Sequence, residues 1–292
     1  MNHLFLIGAP KGGTTSLAAA LERHVAVSVA RGKEPRHFTD FAERRWAGPG
    51  ARAFRADIVA GRAAWEALFE PGAAWRVDAS TDMLHNAAAP ERVARFAEEQ
   101  PGCTVVAAVL RDPVERAVSE YRHTLRDGLE RETLAHALDL EAERRAAGWQ
   151  PLFRHAERSR YAEALARWRA VGEVLVLDYH RLDEARGALF AAMGLEPPEG
   201  AALPHANRGR VPRVGALNRL LRAAPLRRAV RRVVPAGPRG AVRRLLESAT
   251  TGAWQPAPAD LARLRALLAD DIARCARDGD VPTAHWHLAR GG

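Results

Sequence analysis

The chain has 292 residues, 47% of them hydrophobic and 27% charged, so it is long enough to bury a core and lacks the composition of a disordered protein. Its formal net charge of +9 favours anionic ligands such as nucleotides. Cys103 and Cys275 have neither the number nor the spacing of a disulfide framework or a zinc site, which predicts two buried thiols and no metal. No apolar run is long enough to cross a bilayer, so we expect a cytoplasmic protein without integral membrane contact.

The predicted elements alternate between short apolar strands and amphipathic helices. Strands are predicted at 3–7, 25–29, 75–78, 104–110 and 173–177, and helices at 14–23, 51–69, 90–100, 113–125, 132–147, 159–170 and 258–277. This order predicts a P-loop-like three-layer α/β fold, in which a central parallel sheet of about four or five strands is flanked by helices. We expect one domain over 1–292, with an Arg-rich helical region at about 211–292.

The first candidate functional segment is glycine-rich and lies between the first predicted strand and the first predicted helix. It reads Gly8-Ala9-Pro10-Lys11-Gly12-Gly13-Thr14-Thr15-Ser16. A loop in this place lets successive backbone N–H groups converge on an anion, and the helix N-terminus adds positive potential. Lys11 comes three residues before Thr14, which differs from the nucleotide-triphosphatase loop ending in Gly-Lys-Ser/Thr. The segment therefore predicts a phosphate cradle of another kind.

Two further segments place charged residues where predicted strands or turns end. Arg111 follows the most apolar strand and can hold a phosphate as a fork, while Ser119 lies two turns along the next helix. Glu34 lies between the cations Lys33 and Arg36, which make it a weaker proton acceptor unless burial compensates. His37 therefore competes with Glu34 for the role of general base.

These segments resemble those of sulfotransferases that use 3'-phosphoadenosine 5'-phosphosulfate (PAPS). Pro10-Lys11-Gly12-Gly13-Thr14-Thr15 is similar to their 5'-phosphosulfate loop, the 110–121 segment resembles their 3'-phosphate-binding segment, and Lys33-Glu34-Pro35 is similar to the heparan-type and bacterial branch. The resemblance spans about residues 4–210. It implies transfer of a sulfuryl group from PAPS to a hydroxyl or amine, with adenosine 3',5'-bisphosphate (PAP) as product and no metal.

The resemblance also implies a role for each matching residue. Lys11 and Lys33 would be catalytic, with Glu34 or His37 as the base. The nucleotide would be bound by Lys11, Gly12, Gly13, Thr14, Thr15, Ser16, Arg111 and Ser119 and, by weaker resemblance, by Tyr161, Asn207, Arg208, Gly209 and Arg210. The acceptor would contact Lys33, His37, Asp78 and Ser80, although Thr81 stands where the family usually has proline.

Two other functions stay open, and so does the acceptor. A Mg²⁺-dependent kinase or similar transferase would need an Asp after an apolar strand, for which Asp78 is available. A non-enzymatic binder of nucleic acid or acidic surfaces would use the arginines, but the sequence has no recognised nucleic-acid-binding motif. We expect a small-molecule, glycan or lipid acceptor and no nucleic acid as partner, and a homodimer is compatible with the sequence.

Overall fold

A parallel five-stranded sheet forms the centre of the computed structural model, which describes residues 1–32, 34–198, 203, 211–212, 251–252 and 254–286. The strands of this sheet are β1 (Asn2–Gly8), β2 (Val27–Val29), β3 (Trp75–Asp78), β4 (Thr104–Leu110) and β5 (Leu175–Asp178). They lie in the order β2-β3-β1-β4-β5, and every neighbouring pair is parallel. Two short strands, β6 (Val211–Pro212) and β7 (Thr251–Gly252), form a separate antiparallel pair.

Helices cover both faces of the sheet. They are α1 (Thr14–Leu21), α2 (Ala51–Ala56), α3 (Arg62–Glu66), α4 (Ala89–Glu99), α5 (Pro113–Arg126), α6 (Leu134–Asp139), α7 (Glu141–Ala146), α8 (Ala162–Arg169), α9 (Leu182–Ala192) and α10 (Pro258–Arg277). Buried residues of α1 and α9 pack on one face, and those of α4, α5, α8 and α10 pack on the other. The predicted three-layer α/β fold is therefore confirmed.

The alternation of side chains along β1 shows why this strand is apolar throughout. Phe5 and Ile7 point into the core beneath α5, whereas Leu4 and Leu6 point into the core beneath α1. Successive side chains of a strand point to opposite faces, so a strand covered on both sides has no polar face. All four side chains are fully buried.

The strand order places the glycine-rich loop at the point where the sheet changes direction. From β1 the chain first adds β2 and β3 on one side and then β4 and β5 on the other. In open parallel sheets, ligands bind in the crevice at the carboxyl ends of the strands at such a switch point. The loop after β1 and the segment after β4 meet there, since Ala9 N–H donates to Val109 O at 2.7 Å.

Some sequence predictions of local structure were wrong. The helix predicted over 132–147 is two helices, α6 and α7, which are separated at Leu140. Glu141, the first residue of α7, accepts from the backbone N–H groups of Ala156 and Glu157. Cys275 is buried as predicted, but Cys103 is exposed at the start of β4. Among the residues described, no helix has the length and apolar character needed to span a membrane.

Candidate active site

A cavity of about 720 Å³ opens at the switch point of the sheet. One half of the cavity, called the donor half, contains Lys11, Gly13, Thr14, Thr15, Arg111, Ser119, His123 and Tyr179. Its Glu34 half contains the charged residues Arg31, Glu34, Arg36, Asp57, Asp82 and Arg158, and the other residues Phe54, Ala56, Val59, Thr81, Gln150 and Leu152. Both halves belong to one continuous space.

The loop between β1 and α1 turns through two left-handed residues, Lys11 (φ 67°) and Gly13 (φ 87°). Such a conformation is costly for a lysine, and residues of this kind cluster at ligand sites. Thr14 and Thr15 open α1, where the first N–H groups have no partner within the helix. Burial, and then the charge of Arg126, lowers the pKa of Lys11. The loop therefore presents an ammonium beside a helix N-terminus, an arrangement that suits an anion.

Gly12 and Ser16 do not line the cavity in this conformation, and their predicted contacts with the nucleotide remain predictions. Gly12 N–H donates to Ala9 O at 2.9 Å, and a Cβ on Gly12 would lie 2.5 Å from Val109 O. Ser16 is buried, and its N–H donates to Gly13 O at 3.0 Å. Gly12 is a glycine because the loop passes so close to β4.

Neighbouring residues of the segment after β4 have different roles. Asp112 caps α5, since its Oδ1 accepts from Val114 N at 2.8 Å and Glu115 N at 2.9 Å. Arg111 instead faces the cavity and pairs with Glu115 at 2.8 Å. Ser119 lines the same space from the second turn of α5. Arg111 and Ser119 therefore line one ligand-sized cavity.

Two residues of the donor half were missed by sequence analysis. Tyr179 directly follows β5, and the guanidinium carbon of Arg111 lies 4.5 Å from its ring centroid. His123 lies one turn beyond Ser119, and burial together with the charge of Lys11 lowers its pKa to about 4. The position of Tyr179 at a strand's carboxyl end and the i, i+4 spacing of His123 from Ser119 are the signals that would have indicated them.

Glu34 is held at the other half of the cavity by side chains on both sides. Thr81 Oγ1 donates to its Oε2 at 3.2 Å, and Arg36 Nη2 lies 3.5 Å from the same oxygen. Arg36 also has a left-handed backbone (φ 56°), and its N–H donates to Ser80 Oγ at 2.9 Å. These contacts aim the Glu34 carboxylate along the cavity wall, while the side chain remains 24% exposed.

A chain of alternating charges runs from Glu34 into the core. Arg36 Nε donates to Asp82 Oδ2 at 2.6 Å, Arg158 Nη2 donates to the other oxygen of Asp82, and Arg158 Nη1 donates to Glu120 Oε1 at 2.6 Å. Glu120 also pairs with Arg116 at 3.0 Å. Burial alone would raise the pKa values of Asp82 and Glu120, but the flanking arginines hold both below their ordinary values. These residues are therefore charged and hold one another in place.

Three residues predicted to take part in acceptor chemistry do not line the cavity. His37 lies over a separate groove, where its ring stacks on Trp65 at 5.7 Å and Nδ1 is 3.3 Å from Val59 O. Asp78 is buried beneath and accepts from Trp65 Nε1 at 2.8 Å and from Ser80 N at 3.0 Å. Ser80 is also fully buried. His37, Asp78 and Ser80 thus lie away from the cavity in this conformation, and their predicted acceptor contacts remain predictions from the sequence.

Tyr161 also differs from its prediction as a nucleotide-binding residue. Its side chain is fully buried, its ring lies 5.8 Å from that of Trp286, and its hydroxyl donates to Arg111 O at 3.1 Å. The backbone N–H of Tyr161 donates to Asp271 of α10 at 2.7 Å. Tyr161 is thus a core residue that supports the chain at Arg111 and makes no contact with the cavity itself.

Five of the predicted site residues lie outside the described residues. They are Lys33, Asn207, Arg208, Gly209 and Arg210. Their predicted roles remain predictions from the sequence.

The fold and cavity define a three-layer α/β protein with an anion-adapted loop at the switch point of its sheet. This fold is similar to the crystal structure of a sulfotransferase from Alicyclobacillus acidocaldarius, with a TM-score of 0.68 and 21% sequence identity over 94% of each chain. A scan against protein-family models found no match, and a search of curated protein sequences also found none. The protein therefore shares the fold of a sulfotransferase over nearly its whole length.

Proposed function

We propose that this protein is a sulfotransferase that transfers the sulfuryl group of PAPS to an acceptor hydroxyl or amine. One observation carries the proposal: an ammonium and a helix N-terminus, a forked arginine with a serine, and a carboxylate all face one cavity. Each matches a part that the reaction needs, namely a 5'-phosphosulfate cradle, a 3'-phosphate site and a base. The similarity to a sulfotransferase fold supports the same conclusion.

The residues of the donor half suit a nucleotide that carries phosphate at both ends. Lys11 with the amides of Gly13, Thr14 and Thr15 would hold the 5' end, and Arg111 with Ser119 would hold the 3'-phosphate. The ring of Tyr179 offers a flat apolar face for the adenine of the nucleotide. A cavity of about 720 Å³ lies within the size range of ligand pockets.

The reaction forms a bond between the acceptor oxygen or nitrogen and sulfur, and it breaks the bond from sulfur to the bridging phosphate oxygen. Lys11 neutralises the charge that develops on the departing oxygen. Glu34 takes the proton of the acceptor, and Arg36 and Thr81 keep its carboxylate in position. The products are a sulfated acceptor and PAP. Lys33 would add charge stabilisation at the transferring oxygens.

The Mg²⁺-dependent kinase is less well supported. The Asp that it would use, Asp78, is buried beneath the cavity and bonded to Trp65 and Ser80. The loop also lacks the Gly-Lys-Ser/Thr ending that holds Mg²⁺ and phosphates in that class.

A thermal-shift comparison tests the proposal directly. PAP at a hundredfold excess over its Kd is expected to stabilise the protein by about 2.7 kcal/mol, because it binds only the folded state. ATP with Mg²⁺ at the same concentration is expected to give a smaller shift, since it lacks the 3'-phosphate that Arg111 and Ser119 would bind. A larger shift with ATP and Mg²⁺ than with PAP would contradict the assignment.

The affinity for PAP is expected to depend on pH through His123. In the free protein the pKa of His123 is lowered to about 4, so the ring is neutral near pH 7. A bound phosphate favours the protonated ring and raises this pKa, so binding takes up a proton and becomes tighter as pH falls from 7 to 5. Calorimetry should show an increase of about tenfold relative to His123→Gln. The phosphates of PAP titrate alike with both proteins, so their contribution cancels when the parent is compared with His123→Gln. Parallel pH profiles of PAP affinity in the parent and in His123→Gln would contradict the role of His123.

A further inference from the structure

One part of the Glu34 half of the cavity is an apolar wall, which lies beside the charged residues of that half. Phe54, Val59 and Leu152 line it, and the Phe54 ring lies 4.9 Å from the guanidinium carbon of Arg36. Val59 is tied to the segment of Glu34, since its N–H donates to Pro35 O at 2.9 Å. An acceptor that presents its reacting atom to Glu34 must therefore lie against apolar side chains.

The cations described in this half are already held by carboxylates. Arg36 is shared between Asp82 and Glu34, and Arg158 is shared between Asp82 and Glu120. Arg31, at the rim, is exposed and pairs with Glu70 at 3.2 Å. An anionic acceptor would have to compete with these carboxylates for Arg36 and Arg158, and breaking a buried ion pair is strongly unfavourable. The exposed pair of Arg31 contributes little to this preference.

One further carboxylate gives this half its preference for charge. Asp57 lines the wall with an exposed side chain, one helical turn beyond Phe54, and its charge acts on Arg36. Among the described residues, Arg36 and Arg158 are matched by Glu34, Asp82 and Glu120, so Asp57 adds a further carboxylate to this half. The carboxylates of Glu34, Asp57 and Asp82 repel a negatively charged acceptor in this half, and they attract a positively charged one.

We propose that the Glu34 half selects an uncharged or positively charged apolar alcohol or amine as acceptor, and that it rejects acidic glycans. The inference rests on the proposed sulfotransferase function. The apolar body of the acceptor packs against Phe54, Val59 and Leu152, and its hydroxyl or amine gives its proton to Glu34 as the bond to sulfur forms. Asp57 sets the preference for charge at the outer end.

The experiment uses labelled PAPS and four probes. Three are matched phenylalkyl alcohols that carry no charge, an ammonium group or a carboxylate, and the fourth is a sulfated uronic-acid oligosaccharide. PAP binding by the same protein preparation is measured first. We expect kcat/KM for the neutral and ammonium probes to exceed that for the carboxylate probe and the oligosaccharide by at least about tenfold, which corresponds to about 1.4 kcal/mol.

Charge-reversed variants test whether the preference for acceptor charge arises in the Glu34 half of the cavity. Asp57→Lys is expected to reduce the discrimination against the carboxylate probe by about tenfold, because it reverses the charge at the cavity wall. Glu98→Lys makes the same charge change at an exposed position outside the cavity and is expected to leave the preference unchanged.

The outcomes separate the inference from the function on which it rests. A protein that binds PAP but sulfates the carboxylate probe or the oligosaccharide best overturns the inference alone. So does a protein that binds PAP and sulfates neither the neutral nor the ammonium probe. A protein that does not bind PAP removes the proposed function, and the inference with it.

Discussion

Replacing Lys11 with alanine is expected to lower turnover by roughly a hundredfold or more, the usual effect of removing one preorganised group that stabilises developing charge. Lys11 is held by its left-handed backbone over the start of α1, and the negative charge on the leaving oxygen would develop there. PAP should still bind, because Arg111, Ser119 and the loop amides remain. The measurements are turnover of labelled PAPS with the neutral alcohol probe as acceptor and calorimetry with PAP.

The backbone at Lys11 requires its own control. Alanine at φ 67° is strained, so a loss of activity in Lys11→Ala could come from the loop rather than from the missing ammonium. Lys11→Gly suits this backbone and also lacks the ammonium, and we expect it to be as inactive as Lys11→Ala. Recovery of near-normal turnover in the glycine variant, with PAP bound, would refute the catalytic role of the charge.

Glu34→Gln is expected to lower kcat by about 10²–10⁴-fold, the range typical of the loss of a general base. The amide keeps the shape and can still accept from Thr81, so PAP affinity should change by less than about twofold. His37→Gln is the matched control, because His37 faces a separate groove. Its kcat should stay within about threefold of the parent, consistent with a residue outside the cavity.

The same pair of variants decides between the two bases considered from the sequence. A loss in His37→Gln comparable to that in Glu34→Gln would mean that His37 reaches the acceptor in the bound state. Steady-state kinetics with the neutral probe and calorimetry with PAP distinguish a loss of catalysis from a loss of binding.

The sequence predicted the elements best where local pattern alone decides them. Residues 104–110 form an uninterrupted apolar run, and 258–277 carry a helical stripe, and both are found with those bounds. The break between α6 and α7 was missed because Leu140 is not a helix breaker. Glu141, directly after the break, accepts from the backbone N–H groups of Ala156 and Glu157, and such a distant contact leaves no local signature in the sequence.

At the candidate site, the sequence indicated which edge of the sheet carries the cavity, but not which side chains face it. Asp78 lies at the right strand end, yet Trp65 turns its carboxylate inward. Asp82, four residues later, lines the cavity instead. Its partners Arg36 and Arg158 are 46 and 76 residues away in the chain, and only tertiary packing brings them together.

The sharing of Asp82 between two arginines restricts how this chain can evolve. Loss of Asp82 alone would leave both guanidinium groups poorly compensated in a buried place, and changing either arginine alone would do the same to the carboxylates. Positions 36, 82, 120 and 158 are therefore expected to drift as a linked set among descendants of this gene. Val59 and Leu152 take no part in these ion pairs, so acceptor preference can diverge there while the support for Glu34 is inherited intact.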